Sequence, residues 1–282
     1  MKMDEILTCK DLSFSYSTEE EKVFQHLSLS VKRGEVVLLM GPSGCGKSTL
    51  AYCLSGLYPQ YSGEMSGEIL LEGESLSSFG AAARSKRMSI LFQNPDDQFC
   101  MSRVDQEVLF ALENINYEGN LVARTQEILQ KIGLEQEMHT QIQKLSGGMK
   151  QKLALGTALA TGAEMLILDE PFANLDPASC KSLAKMLREV NAEGMTLLIV
   201  DHKLDWWKPF LSRVVLMQTE GNLDETSIYP AELFNSREKF EHLGLFYADA
   251  KEGSYLDDVK KPGVLPDAES ILQAQDVSLY HD

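Results

Sequence analysis

Polar and apolar positions along this chain mark out most of its elements. From Ile6 to Tyr16, Leu12, Phe14 and Tyr16 alternate with Ser13 and Ser15, the period-two signal of a strand with one buried face. Phe24 to Val31 predicts a second strand, and Lys32-Arg33-Gly34-Glu35 a turn into the continuous apolar run Val36 to Met40. A helix-like stretch over Leu50 to Leu57 follows, then a turn-rich link over Pro59 to Gly67. Glu68 to Leu71 reads as a strand closed by the tight turn Glu72-Gly73-Glu74, and Met88 to Phe92 as another. Val104 to Leu112 and Ala123 to Ile132 space their apolar residues by three and four, as amphipathic helices do, and Gly133 stops the second. Leu145 to Gln151 opens a further helix, with Met149, Leu153, Gly156 and Ala160 on one face. Met165 to Leu168 and Met195 to Val200 are apolar throughout, as strands buried on both faces are. Between them Asp176-Pro177 caps a helix carrying Leu183, Leu187 and Val190, which Gly194 ends.

The chemistry gathers where these elements end. Gly41-Pro42-Ser43-Gly44-Cys45-Gly46-Lys47-Ser48-Thr49 fits G-x-x-x-x-G-K-[ST] and stands between a strand and a helix, as a phosphate-binding loop does. Its glycines let backbone N–H groups converge on phosphate oxygens at a positive helix end. Lys47 supplies a charge for the outer phosphates, Ser48 a hydroxyl for magnesium, and Thr49 a further phosphate contact. Cys45, beside a helix start, is a candidate for an unusually reactive thiol. A second anion-receptive helix start lies at Ser146-Gly147-Gly148, with Ser146 as cap and added donor. The run Met165 to Leu168 ends in Asp169-Glu170, whose side chains face different ways; one acid can hold a magnesium shell while the other addresses a water. Asp201-His202 closes the next strand, and His202 reaches a terminal phosphate if that strand lies beside the one ending in Glu170. The other histidines, His26, His139, His242 and His281, read as ordinary surface or partly buried residues. Gln93, at the end of Met88 to Phe92, precedes the pattern-breaking Asn94-Pro95-Asp96-Asp97-Gln98. Tyr16 is placed to stack on a base or, more plainly, to pack the sheet.

Length and charge narrow the setting. With 282 residues the chain has room for one large domain or two smaller ones. The longest apolar runs fall short of the ~18 to 20 residues that cross a bilayer, so membrane association is expected only through a partner. A net charge of -16 argues against non-specific nucleic-acid binding. Five cysteines without a C-x-x-C pair point to reduced thiols in a cytosol.

In order and spacing, Tyr16, Gly41 to Thr49, Gln93, Leu145-Ser146-Gly147-Gly148, Asp169-Glu170, Asp176 and His202 resemble the nucleotide-binding subunit of an ATP-binding cassette (ABC) transporter, over roughly Ile6 to Leu223. The resemblance implies an α/β P-loop NTPase core with a parallel sheet, an antiparallel β edge and an inserted helical subdomain at about 94–160, within a domain of 1–225. It implies ATP and Mg2+ as ligands. Tyr16, the loop Gly41 to Thr49, Ser146, Gly147, Gly148 and Asp176 would contact nucleotide, and Ser48, Gln93 and Asp169 the metal. Lys47, Gln93, Glu170 and His202 would serve hydrolysis. Two such domains meet head to tail, each signature sealing the other's phosphate loop. Phe92 to Gln98 is similar to the ATPases of energy-coupling factor (ECF) importers of vitamins, cobalt or nickel, placed on the cytoplasmic side of the membrane. There Asp96 and Asp97 are candidate contacts to a transmembrane coupling subunit; two solvated loop acids are the plainer alternative. Met149 replaces the signature's usual glutamine, and Asp201 stands where a small hydroxyl residue is common.

Residues 226–267 read as a C-terminal extension or linker, with Ala231 to Leu243 its best helix. Ile271 to Leu279 lines up with Ile6 to Phe14, so 268–282 reads either as the first strand of a second ABC module or as chance similarity over a short window. The second domain is accordingly an identical copy or a missing C-terminal half. A soluble ABC ATPase acting on ribosomes or DNA is the competing function, disfavoured by the acidic balance and compact insertion. An inactive scaffold is disfavoured by the presence of Lys47, Asp169, Glu170 and His202.

Overall fold

The computed structural model describes residues 4–17, 21–59 and 63–218. The helix expected over Ala231 to Leu243, the segments 226–267 and 268–282, and His242 and His281 lie outside them.

Continuous and alternating apolar segments sort into two different sheets. Strands β1 (Glu5–Ser15), β2 (Phe24–Lys32), β4 (Glu64–Leu71) and β5 (Glu74–Ser75) form an antiparallel sheet in the order β2-β1-β4-β5. Strands β3 (Val36–Met40), β6 (Met88–Leu91), β7 (Met165–Asp169), β8 (Thr196–Val200) and β9 (Arg213–Leu216) form a parallel sheet in the order β6-β7-β8-β3-β9. Every residue of β3, β7 and β8 is buried, because helices or the second sheet cover both faces of the parallel sheet. Along β3 the faces alternate: Val37 and Leu39 pack with Phe14, Leu50 and Leu54, whereas Val36, Leu38 and Met40 pack with Leu183, Leu187 and Trp207.

Helix α1 (Lys47–Leu54) follows β3, and the short α2 (Ala81–Ser85) precedes β6. Helices α3 (Val104–Asn114), α4 (Leu121–Lys131) and α5 (Gly147–Ala160) enclose a core of their own around Val108, Leu112, Ile128, Leu129 and Leu153. The second face of α5, through Ala154, Leu155 and Ala158, packs on the parallel sheet with α6 (Pro177–Ala192). One helix is thus shared by both cores.

Three expectations change. Ser13 and Ser15 are buried together with Leu12 and Phe14; the Ser13 hydroxyl accepts the His26 amide at 3.0 Å, which lets a polar side chain lie inside the sheet. The link expected over Pro59 to Gly67 is shorter, since Glu64, Met65 and Ser66 pair with Ser15, Phe14 and Ser13. This pairing is set by β1, across the sheet, and not by local apolar period. β9 has no counterpart among the expected strands; it is the parallel edge beside β3. The turn after β4 does form, with φ of 55° at Glu72 and 82° at Gly73 as a two-residue hairpin turn requires.

Leu129 is fully buried among the three helices. Leu129→Ala should lower the unfolding free energy by about 2–5 kcal/mol, measured by urea denaturation.

Candidate active site

Because β6, β7, β8 and β3 run parallel and in register, their C-terminal ends fall along one edge of the sheet. Leu91 pairs with Leu168, Asp169 with Val200, and Leu39 with Val200. The residues that follow are therefore neighbours: Gln93 after β6, Glu170 after β7, His202 after β8 and the phosphate loop after β3. That edge is where ligands bind in open α/β sheets.

The loop hands the chain to α1 through Gly46, whose φ of 99° suits glycine and whose added Cβ would lie 2.7 Å from Val23 Cγ1. Lys47 is buried; its Nζ donates to the carbonyls of Gly41 at 2.9 Å and Pro42 at 2.8 Å. Ser48 Oγ donates to Asp169 Oδ1 at 2.8 Å, and the Tyr16 and Thr49 hydroxyls lie 2.7 Å apart. Asp169 is 1% exposed and its Oδ2 has no hydrogen-bond partner among the described residues. Burial pushes its carboxyl up, and the nearby hydroxyls of Ser48 and Tyr52 oppose this. A buried carboxylate oxygen left unpaired beside a serine hydroxyl suits a hard cation, and one carboxylate plus phosphate oxygens is the usual donor set for magnesium.

Glu170 has φ 43°, a left-handed conformation uncommon outside glycine. Its amide still donates to Val200 O at 2.8 Å. Its carboxylate is gripped from two sides: Gln93 Nε2 donates to Oε2 at 2.9 Å, and His202 Nε2 lies 2.8 Å from Oε1. Asp201 fixes His202 from below, since its buried carboxylate accepts the amides of His202 (2.6 Å) and Lys203 (3.0 Å) and the indole N–H of buried Trp207 (2.9 Å). This accounts for an acid at position 201, where a small residue would leave three donors unpaired.

A cleft of about 1030 Å³ joins Tyr16, Ser43, Gly44, Lys47, Thr49, Glu170 and His202. Its far wall comes from Lys22 and Val23, which lead into β2, and from His26 near the start of that strand. His26 is a surface histidine, as expected, and it borders the cleft with Nδ1 2.6 Å from Asp11 Oδ1. No local signal identifies it; only the antiparallel pairing brings it there. The Cys45 thiol is buried and lies 3.8 Å from Lys47 Nζ, so the packing around the loop limits its access to solvent. Its backbone remains part of the loop.

The second helix start lies elsewhere. Ser146 caps α5 by accepting from Met149 N, and an added Cβ on Gly148 would lie 2.4 Å from Ser179 Oγ, so a glycine is needed where α5 meets α6. Asp176 caps α6, and its hydrogen bonds from Ser179 hold its carboxyl below the usual carboxylate range. None of Ser146, Gly147 and Gly148 lines the phosphate-loop cleft. Asp96 is not free either, since it pairs with Lys150 at 2.8 Å.

The ABC transporter family profile matches residues 24–173, more than half of the chain. The chain belongs to the ABC transporter family. It is 40% identical over 222 residues to the provisionally named HMP/thiamine import ATP-binding protein YkoD of Bacillus subtilis, covering 77% of this chain and 41% of YkoD. A provisionally named ABC transporter ATP-binding protein of Methanosarcina acetivorans is 33% identical over 280 residues, covering 95% of this chain and 45% of that protein. The chain thus spans less than half the length of these curated relatives. Among solved structures, cbiO1 of Clostridium perfringens, part of the ABC transporter complex cbiONQ, superposes with a TM-score of 0.71 at 28% identity, covering 86% of this chain and 95% of that one. A nucleotide-free ATP-binding cassette matches the fold with a TM-score of 0.70 at 24% identity.

The loop that starts at Gln93 is anchored beyond Gln98 by Glu107 of α3. Glu107 Oε2 accepts the amides of Cys100 (3.0 Å) and Met101 (2.7 Å), and burial raises its carboxyl. The native cassette therefore holds this proton more tightly than the unfolded chain does. The group's contribution to stability is full below the unfolded value of about 4.3 and is lost as pH rises through the native one. Glu107→Gln keeps the accepting oxygen without the charge. Its Tm should exceed the wild type's near neutral pH, with the gap closing toward pH 4; a pH-independent difference in thermal melts would contradict this.

Proposed function

We propose that this cassette binds MgATP in the cleft and hydrolyses it to energise a membrane importer of the ECF type, for a vitamin or a transition metal ion. The observation that carries the reading is the Glu170 carboxylate held by Gln93 and His202 at the mouth of a phosphate loop. The name of YkoD supports an importer, and the likeness to cbiO1 supports a place in a transporter complex.

In this reading the triphosphate lies along the amides of Gly44 to Thr49, with Lys47 leaving the Gly41 and Pro42 carbonyls for the outer phosphates and Tyr16 beside the base. Ser48 and Asp169, with Gln93 in reach, would hold Mg2+, which when bound neutralises charge on the phosphate oxygens. Water attacks the γ-phosphorus as the bond to the β–γ bridging oxygen breaks. Glu170 accepts the water proton, and ADP departs with phosphate released. Gln93 and His202 fix the direction of that carboxylate, and His202 also faces the terminal phosphate.

Since Ser146, Gly147 and Gly148 lie outside this cleft, they serve the nucleotide of a second cassette, and that cassette's signature completes this one. The greater length of the relatives supports a second cassette in the same polypeptide. A groove of about 620 Å³ between α2, α3 and α5, lined by Arg84, Gln98, Cys100, Glu107 and Phe110, is the seat we assign to the transmembrane subunit, with Asp97 next in sequence to the lining Gln98. The protein would then sit at the cytoplasmic face of the membrane through that partner. Among the described residues, no helix is long and apolar enough to cross a membrane.

Glu170→Gln should cut MgATP turnover by roughly 10²- to 10⁴-fold while MgATP still binds, whereas Lys47→Ala should weaken binding itself. Phosphate release and equilibrium nucleotide binding separate the two effects; undiminished turnover in Glu170→Gln would remove the carboxylate from its assigned role.

A further inference from the structure

The Gln93 loop touches more than the catalytic carboxylate. Three residues after Gln93, Asp96 Oδ2 pairs with Lys150 Nζ at 2.8 Å, and Gln151 Nε2 donates to the Gln93 carbonyl at 3.5 Å. Both partners lie on α5, one turn beyond Ser146, and the Lys150 amide donates to the Ser146 carbonyl at 2.9 Å. Lys150 is largely covered, with 16% of its side chain exposed, whereas Asp96 is half exposed, so solvent screens the pair from the acid's side. The intervening segment is a tied turn: Asn94 Oδ1 accepts the Asp96 amide and Asn94 Nδ2 donates to Asp97 Oδ1. Gln151 is 1% exposed and its Oε1 has no hydrogen-bond partner among the described residues. A buried acceptor left unpaired is costly, and a small shift of the loop against α5 could satisfy it. Loop and helix also border a cavity of about 240 Å³ with Ala173, Asn174 and Leu175, which leaves room for such a shift.

We propose that Asp96 and Lys150 are positioning residues that strap the tip of α5 to the Gln93 loop, so that nucleotide bound in one cleft sets the placement of Ser146 offered to the opposite one. The route runs from Glu170 through Gln93 and Asp96 to Lys150 and one helical turn back to Ser146. It gives Asp96 an internal partner in place of a contact to the membrane subunit. The inference rests on reading the cleft as a triphosphate site and Ser146 as the contact to a second cassette.

Hydrogen–deuterium exchange, at concentrations where the chain sediments as a monomer, reads the placement without a membrane partner. The non-hydrolysable analogue MgAMP-PNP should slow the amides of 145–151 by roughly tenfold in the wild-type chain. Lys150→Glu, Asp96→Lys and the neutral Lys150→Met should each abolish that slowing while protection of 41–49 persists. The exchanged pair, Asp96→Lys with Lys150→Glu, should restore it. No slowing over 145–151 in wild type, slowing that survives the single variants, or an exchanged pair with wild-type Tm that fails to regain it would each overturn the strap. Absent protection of 41–49 in wild type would instead sink the triphosphate reading, and the strap with it.

Discussion

The level ending of four parallel strands is the constraint on which this cassette depends. Leu91, Leu168, Ile199 and Leu38 occupy successive strands in register, so each strand delivers its next polar residues to the same edge. A one-residue slip in any of them would turn its side chains to the opposite face. The slip is opposed on both sides, because all residues of β3, β7 and β8 are buried between two apolar layers. The precision of the polar site is thus a consequence of apolar packing.

At that edge the two adjacent acids have been given different surroundings. Asp169 is enclosed, with one oxygen on Ser48 and the other unpaired, an arrangement that favours a cation. Glu170 stands at the mouth with both oxygens engaged by neutral or titratable donors, an arrangement that fixes its direction. A backbone φ of 43° at Glu170 is the local cost of that placement. Asp201 and Trp207 then serve as the underside of His202, joining that edge to the core on which α6 packs.

Much of this was legible in the chain itself, for physical reasons that differ by residue. The strands β3, β7 and β8 are unbroken apolar runs, and their polar ends stand out against them. The phosphate loop and the caps at Ser146 and Asp176 are local motifs whose geometry depends on neighbours in sequence, and the caps at both positions are present. What was not legible depends on distant pairing. His26 reaches the cleft only because β2 folds back on β1. Glu64 to Ser66 becomes a strand only because Ser13 to Ser15 lies beside it. The thiol of Cys45 was read from its place at a helix start, yet the direction of its side chain is set by the packing around the loop. Asp96 reads from sequence as a contact to a membrane subunit or as a solvated acid, and only the fold shows Lys150 of α5 against it.

The central claim is that Asp169 and Ser48 together hold the metal of a bound nucleotide. Equilibrium binding of ATP, with and without Mg2+, to the wild-type chain and to Asp169→Asn tests it most directly. Mg2+ should tighten ATP binding by the wild type, and that tightening should vanish in Asp169→Asn while metal-free ATP binds both alike. An Asp169→Asn chain whose ATP affinity still rises with Mg2+ as the wild type's does would contradict the account.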